Sequence, residues 1–263
     1  MIRNLLRIFV SLIVFSFAYL SAAANDWTRA DSAYKAEDYK TAVELYNRIL
    51  NTQGASSDLY YNLGNAYYRS GNVAQAILSY ERSLRLDPTN SDAKDNLKFV
   101  NERIVDEKGQ TGSFLSTAFN DITALMTSNG WAITALVLFI LTALAIAGYY
   151  FVGSVAVKKL GFFGGIVTLL LTIVCLIFAF HGRTMQSRTD YAIITAPTTV
   201  LSTVPRQPAN RNEEAMLLHE GTKVKILNTV TFKADTANQT WHDVEIDNNH
   251  RAWINDSDIE KIF

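Results

Sequence analysis

The stretch SDLYYNLGNAYYRSGNVAQAILSYERSLRLDPTN, residues 57–90, decides the fold of the polar region near the N-terminus. Its apolar and aromatic residues have helical spacing on both sides of Gly71-Asn72, where a turn is expected. A shift of 34 residues lays Tyr46 on Tyr80, and several neighbouring pairs also coincide. A period of this length predicts helix pairs that stack on one another.

The second copy resembles a tetratricopeptide repeat strongly, and the first copy resembles it more weakly. The residues that carry the resemblance are Tyr60, Leu63, Gly64, Tyr67, Ala76, Tyr80 and Pro88. Gly64 and Ala76 are small, so the two helices of one repeat are expected to approach closely. Residues 25–105 are therefore predicted to form two repeats, followed by a capping helix from Ser91 to Ile104.

The resemblance also implies a concave face, lined by the first helix of each repeat and by the cap. The candidate groove residues are Trp27, Asp31, Tyr34, Lys35, Asp58, Tyr61, Asn65, Tyr68, Arg69, Asp95 and Phe99. Aromatic rings among mixed charges suit a bound peptide, although the same pattern also fits a solvated helix surface. The chaperone-tail clamp of some relatives needs Lys and Asn where Trp27 and Asp31 stand, so that ligand is not expected.

The N-terminus has the layout of a secretory signal peptide. Arg3 and Arg7 precede an apolar stretch from Ile8 to Leu20, and small residues allow cleavage after Ala24. The alternative is an uncleaved signal anchor. Both versions carry the segment after residue 24 out of the cytoplasm.

Two further apolar blocks, residues 131–152 and 160–180, contain no charge and are long enough to cross a membrane. The connection at residues 153–159 carries Lys158 and Lys159, which the positive-inside rule places in the cytoplasm.

Residues 106–130 are predicted to form an amphipathic linker at the membrane surface, and residues 181–190 a second linker. Small residues expected to let the two spans touch are Ala143, Ala147, Gly161 and Gly165.

From residue 191 the pattern changes to short β runs separated by polar loops. Strands are predicted at residues 192–194, 222–227, 241–246 and 251–254. This region, residues 191–263, resembles a bacterial SH3 domain in its Gly-Thr-Lys-Val-Lys-Ile run and in Ala252-Trp253-Ile254. Trp241 and Trp253 fit either a core or a ligand platform, and the core is favoured.

The fold class is thus a multidomain membrane protein with all-α repeats, a two-helix transmembrane hairpin and a small all-β barrel.

Several function classes are disfavoured by composition. The net charge of −1 gives no basic field for nucleic acid, and the single Cys175 lies inside an apolar span, where it cannot serve as a nucleophile. No phosphate loop, HExxH motif or Gly-x-Ser-x-Gly elbow occurs. A metal site from His219, His242 and His250 is not expected, because they fall in separate turns or strands. We therefore predict no enzyme, cofactor or metal.

The order of these parts resembles the BatE family of aerotolerance operons over essentially the whole chain. That resemblance implies a complex with other Bat-type membrane proteins that carry von Willebrand factor A domains. It also implies a functional link to a MoxR-type ATPase, and a role in oxidative or envelope stress. The residues alone indicate an anchored protein with two binding modules, and we predict a scaffold in the cytoplasmic (inner) membrane. Both soluble modules are expected on the extracytoplasmic side, which is the periplasm if the cell has two membranes. The alternative is a sensor whose SH3-like domain binds peptidoglycan.

Overall fold

The computed structural model describes residues 26–106, 113–233 and 238–263, so the predicted signal peptide lies outside the described residues. The chain divides into two compact units. One combines the helices before residue 106 with the strands after residue 190. The other contains the helices between them, together with Arg85–Asn90 and Phe263.

The first unit begins with five helices in two pairs and a cap. They are α1 (26–35), α2 (Tyr39–Gln53), α3 (Ser57–Arg69), α4 (Val73–Leu86) and α5 (Ser91–Asn101). The turns inside the two pairs are equivalent, because Glu37 and Gly71 both have positive φ, 62° and 86°. Asp38 and Ser56 accept backbone N–H groups at the starts of α2 and α3, as N-cap residues do. The helical repeats predicted from the 34-residue period are confirmed.

Close packing inside the second pair depends on Gly64. A β-carbon at this position would lie 2.7 Å from Cε1 of Tyr80. Tyr80 is almost fully buried, and its hydroxyl donates to Asn65 Oδ1 at 2.7 Å. The small residue therefore allows α3 to lie directly on the Tyr80 ring of α4, as the sequence predicts.

The strands form a curled antiparallel half-barrel that is consistent with an SH3-like domain. They are β1 (Tyr191–Ile194), β2 (Thr198–Ser202), β3 (Glu214–His219), β4 (Lys223–Lys233), β5 (Asn238–Glu245), β6 (Arg251–Asn255) and β7 (Ile259–Lys261). Their order is β3-β2-β6-β5-β4-β1-β7. The four predicted strands correspond to β1, β4, β5 and β6, whereas β2, β3 and β7 were not predicted. Trp241 is buried and Trp253 is partly buried.

The sheet packs directly against the repeats, through a shared core and through ion pairs. Ile193 and Ile262 are fully buried in one cluster with Ile77 and Val100. The Arg82 guanidinium donates to the backbone carbonyls of residues 261 and 262, at 2.7 and 3.0 Å, and to Glu260 at 3.0 Å. It thereby satisfies carbonyls at the end of edge strand β7, which would otherwise be left open. The repeats and the sheet are thus one folded unit, although about 80 residues separate them along the chain.

The second unit contains α6 (Phe114–Thr123), α7 (Ser128–Phe151) and α8 (Val155–Gln186). Among the described residues, α7 and α8 are the two helices that are long and apolar enough to cross a membrane. Both are longer than the apolar blocks read from the sequence. Lys158 and Lys159 lie in the first turns of α8 rather than in the connection, because Ser154 already occupies the N-cap position of that helix.

The two long helices approach each other closely at Gly161. A β-carbon there would lie 2.6 Å from the Ala145 carbonyl oxygen, and one at Gly165 would lie 3.5 Å from the Ala145 side chain. Ala145, rather than Ala143 or Ala147, therefore faces both glycines, and Ala143 is exposed. The occurrence of small residues alone did not predict which face of α7 contacts α8. Thr142 and Thr168 share a hydrogen bond of 2.8 Å across the same interface.

Candidate functional site

A cavity of about 150 Å³ opens on the predicted concave face of the repeats. Its lining residues come from α1, α3, α4 and α5: Tyr34, Asn65, Tyr68, Arg69, Tyr80, Asn96, Phe99 and Val100. Five of these eight are among the eleven candidate groove residues. The cavity is smaller than the roughly 300 Å³ at which small-molecule pockets begin, so it suits one side chain of a larger ligand.

The other six candidates have different surroundings. Lys35, Asp58 and Asp95 are exposed and do not line the cavity. Trp27 packs edge-on against Tyr46, and the Tyr46 hydroxyl donates to Asp31 at 2.7 Å. The remaining candidate, Tyr61, is partly buried and does not line the cavity.

Tyr61 packs against the buried cluster shared by the repeats and the sheet. Its ring centroid lies 6.3 Å from that of Tyr80. Replacing Tyr61 would therefore disturb packing as well as any ligand. Phe99 is the better probe of the groove, because it is 46% exposed and meets the cavity residue Tyr68 edge-on.

Two groove residues were missed from the sequence because the face of the capping helix was placed one position away. Asn96 lines the cavity, and its Nδ2 donates to Asn65 Oδ1 at 2.8 Å. The Arg103 guanidinium lies 4.1 Å from the centre of the Phe99 ring and donates to the Tyr68 hydroxyl. Positions 96, 99 and 100 share one face of α5, and the same spacing of three continued past the end of the helix reaches Arg103.

Tyr34 and Arg69, which both line the cavity, influence each other's pKa. Burial raises the pKa of Tyr34 above its usual value, against the opposing effect of Arg69. Nε and Nη2 of Arg69 both donate to the Tyr39 hydroxyl, at 3.0 and 2.7 Å, and this contact raises the pKa of Arg69. The guanidinium therefore keeps its positive charge beside the groove at any physiological pH.

The three histidines of the sheet are each paired with a different aspartate. His219 lies beside Asp106, His242 beside Asp256 and His250 beside Asp247. No group of three or more metal-ligating side chains occurs in the part of the chain that the structure describes.

His242 is fully buried and has a partner on each ring nitrogen. Thr229 Oγ1 lies 2.8 Å from Nδ1, and Asp256 Oδ1 lies 2.7 Å from Nε2. These three residues connect β4, β5 and the 3-10 turn at Asp256–Asp258, and none of them lines the groove cavity. The arrangement holds neighbouring elements of the sheet together.

Asp106 links the end of the repeat region to the sheet. Its Oδ2 accepts the His219 backbone N–H at 2.7 Å and the Thr222 hydroxyl at 2.5 Å, and Oδ1 lies 2.7 Å from His219 Nδ1. Burial alone would raise the pKa of Asp106, but the hydrogen bonds from Thr222 and His219 together lower it below its usual value. The ionised carboxylate is therefore the form that stabilises this junction.

We expect Asp106→Asn to lower the free energy of unfolding by about 1–3 kcal/mol at neutral pH, because the junction loses its charged acceptor. Folding lowers the pKa of Asp106, so the wild-type contribution is lost as the pH falls into the acid range, below about 4. Asparagine does not titrate, so the difference between the two proteins shrinks there. Urea unfolding of the full chain in mild detergent, followed by tryptophan fluorescence at several pH values, measures this.

The control is Asp95→Asn, which changes an exposed carboxylate on α5 and should alter stability by less than about 0.5 kcal/mol. A stability difference for Asp106→Asn that stays constant down to the acid range would contradict the stabilising role of its charge.

Known proteins resemble the region that carries the groove. Residues 28–91 match the family model of the tetratricopeptide repeat. Over 70 residues, 26% of this chain, the sequence is 30% identical to a protein SGT1 homolog of Oryza sativa subsp. japonica. The match spans only 19% of that relative's length. The helix pairs, their equivalent turns and this family match together identify residues 28–91 as a tetratricopeptide repeat segment.

Proposed function

We propose that this chain is a non-enzymatic, membrane-anchored scaffold whose repeat groove binds a protein partner. The observation that carries the proposal is the cavity on the concave face, in a repeat fold that generally serves protein interaction. The cavity is too small for a cofactor, and its rim presents aromatic side chains. Aromatic and arginine side chains are the ones that most often contribute binding energy at protein interfaces.

Membrane anchoring is supported by α7 and α8, whose large apolar side chains are mostly exposed. In water such a surface would be unstable, whereas in a bilayer it faces lipid. The repeats precede this hairpin and the sheet follows it, yet both belong to one compact unit. Both ends of the hairpin must then emerge on the same side of the membrane, as two spans require.

Charge and the predicted signal peptide together indicate the side of the membrane, because Arg183 and Arg188 after the second span reduce the charge asymmetry. Lys158 and Lys159 lie near the connection between the spans, and the positive-inside rule assigns that end to the cytoplasm. The repeat-and-sheet unit is therefore on the periplasmic face of the inner membrane. This orientation agrees with the predicted signal peptide.

The resemblance to the BatE family suggests which proteins are bound. We propose other Bat-type membrane proteins with von Willebrand factor A domains as partners, in a complex functionally linked to a MoxR-type ATPase. Anchoring all members in one membrane raises their effective concentration, so a modest groove affinity is sufficient for assembly. The role in aerotolerance and in oxidative or envelope stress belongs to the same proposal.

Co-purification from native membranes in gentle detergent tests the scaffold. We expect the tagged chain to recover membrane protein partners, and Phe99→Ala to reduce that recovery about tenfold, because it removes the most exposed aromatic ring of the cavity. The matched control is Lys98→Ala, which changes an exposed neighbour outside the cavity lining. Recovery of peptidoglycan fragments without any protein partner would contradict the scaffold and favour the sensor.

A further inference from the structure

Helix α6 is fixed to α8 by specific side-chain contacts. The Phe119 ring packs against the rings of Phe178 and His181, with centroids 5.2 and 4.7 Å away. His181 Nε2 lies 2.8 Å from Asn120 Oδ1, and Thr123 is buried. Positions 119 and 120 precede position 123 by four and three residues, so all three lie on one side of α6. That side therefore faces α8.

The start of α7 holds the other end of the same helix. The indole Nε1 of Trp131 donates to the Thr123 carbonyl, the last of α6, at 2.9 Å. Ser128, the first residue of α7, donates its hydroxyl to the Ala179 carbonyl of α8 at 2.8 Å. Helix α6 thus has a defined place at the end of the hairpin where α7 begins and α8 ends.

The contacts with α8 also set the depth of α6. Phe178 belongs to the charge-free apolar block at residues 160–180, and Arg183 follows shortly after that block. Phe119 therefore packs beside the last turn of the span, which is the level where acyl chains meet headgroups. Phe180, in the same turn, is 71% exposed, as a side chain in contact with lipid would be.

A second side of α6 is apolar and exposed. Phe114 and Leu115 are 84% and 77% exposed, and Ile122 is exposed as well. Leu115 and Ile122 are seven positions apart, about two helical turns, so their side chains share one side of the helix. Exposed Leu125 follows in the turn after α6. Thr117, which is two positions after Leu115, lies on the opposite side and is also exposed.

We propose that Phe114, Leu115 and Ile122 form a lipid-binding surface, inserted among the acyl chains of the leaflet at which α7 begins and α8 ends. Helix α6 is then a fixed membrane-embedded foot rather than a linker. The inference rests on the membrane anchoring in the proposed function. Lipid is the occupant because the surface lies at the level of exposed Phe180 and is purely apolar, while α6 carries a single charge, Asp121.

Spin labels on single cysteines test this in the full-length Cys175→Ala protein, reconstituted in phosphatidylcholine vesicles. Dissolved oxygen concentrates among acyl chains, whereas a nickel chelate stays in water, and each speeds the relaxation of labels that it reaches. We expect oxygen to dominate for Leu115→Cys and Ile122→Cys, at a depth of about 5–10 Å below the headgroup boundary. Thr117→Cys is the matched control, because it is exposed on the opposite side of α6 and should favour the chelate.

Two results would overturn the lipid-binding surface. Labels at positions 115 and 122 that the chelate relaxes as much as the label at 117 would place the apolar side in water. Labels that neither reagent reaches would mean that protein, such as a second copy of this chain, covers it. Ile140→Cys, on an exposed position midway along α7, separates these failures from failure of the anchoring. Chelate access at 140 would overturn the anchoring itself, whereas oxygen access there leaves the anchoring intact.

Discussion

Replacing Gly221 with Ala should lower the free energy of unfolding of the repeat-and-sheet unit by about 3 kcal/mol. Gly221 lies in the turn between β3 and β4 with φ of 89°, where a β-carbon is strained. That β-carbon would also lie 2.8 Å from Ile77 Cδ1 and 2.9 Å from Ile104 Cγ2, both of which belong to the repeat region. The substitution therefore strains the turn and separates the sheet from the repeats. Urea unfolding of the full chain in detergent measures the loss.

Gly71→Ala is the matched control for this substitution. Gly71 has nearly the same φ, 86°, but nothing lies within 4 Å of the β-carbon that Ala would add. It should show only the backbone strain, about 1 kcal/mol. Equal losses for the two variants would mean that the sheet does not pack against the repeats at Gly221.

The second large effect is expected for Gly64→Ala. The sign of the change in the free energy of unfolding shows whether helix propensity or close packing dominates at this position. Gly64 lies inside helix α3, where Ala alone should stabilise by about 1 kcal/mol. Its β-carbon, however, would lie 2.7 and 2.8 Å from two ring carbons of Tyr80. The Tyr80 ring is buried, and its hydroxyl is held by Asn65, so it has little freedom to move. We expect a net loss of about 2–3 kcal/mol, since overpacking exceeds the gain in helix propensity.

Gly64→Ala should also weaken partner recovery, because Tyr80 and Asn65 both line the cavity. Combining it with Tyr80→Leu should restore part of the lost stability by removing the ring, although the cavity would remain altered. Thermal unfolding of both variants in detergent is the measurement. A Gly64→Ala protein more stable than the wild type would contradict the close approach of α3 and α4.

The repeats could be predicted in detail because their signal is local. The sequence predicted the turn at Gly71-Asn72, and the structure has equivalent turns with positive φ at Gly71 and, 34 positions earlier, at Glu37. The packing of the sheet on the repeats could not be predicted in this way. Arg82 and Glu260 are 178 positions apart. Ile193 and Ile262 are apolar residues in or next to strands, so their sequence pattern predicts only that they fill the core of the sheet itself. Alternation along a strand indicates a buried face but does not identify what buries it.

The groove was partly predictable for a related reason. Tyr34, Asn65, Tyr68 and Arg69 follow from helix periodicity within the repeats, and the structure brings them together. On the capping helix no repeat fixes the register, so the choice between the faces through Asp95 and Asn96 was open. The edge strands β3 and β7 were missed because each is short or lacks regular alternation.

The most direct test of the account is the side of the membrane on which each part lies. Single cysteines would be placed at Lys98, Asn248 and Lys159 in a Cys175→Ala background, and spheroplasts would be treated with a membrane-impermeant maleimide. We expect the cysteines at positions 98 and 248, in the repeats and the sheet, to react in intact spheroplasts. The one at position 159, near the connection between the spans, should react only after permeabilisation. Opposite sides for positions 98 and 248 would contradict a single folded unit anchored by a two-span hairpin.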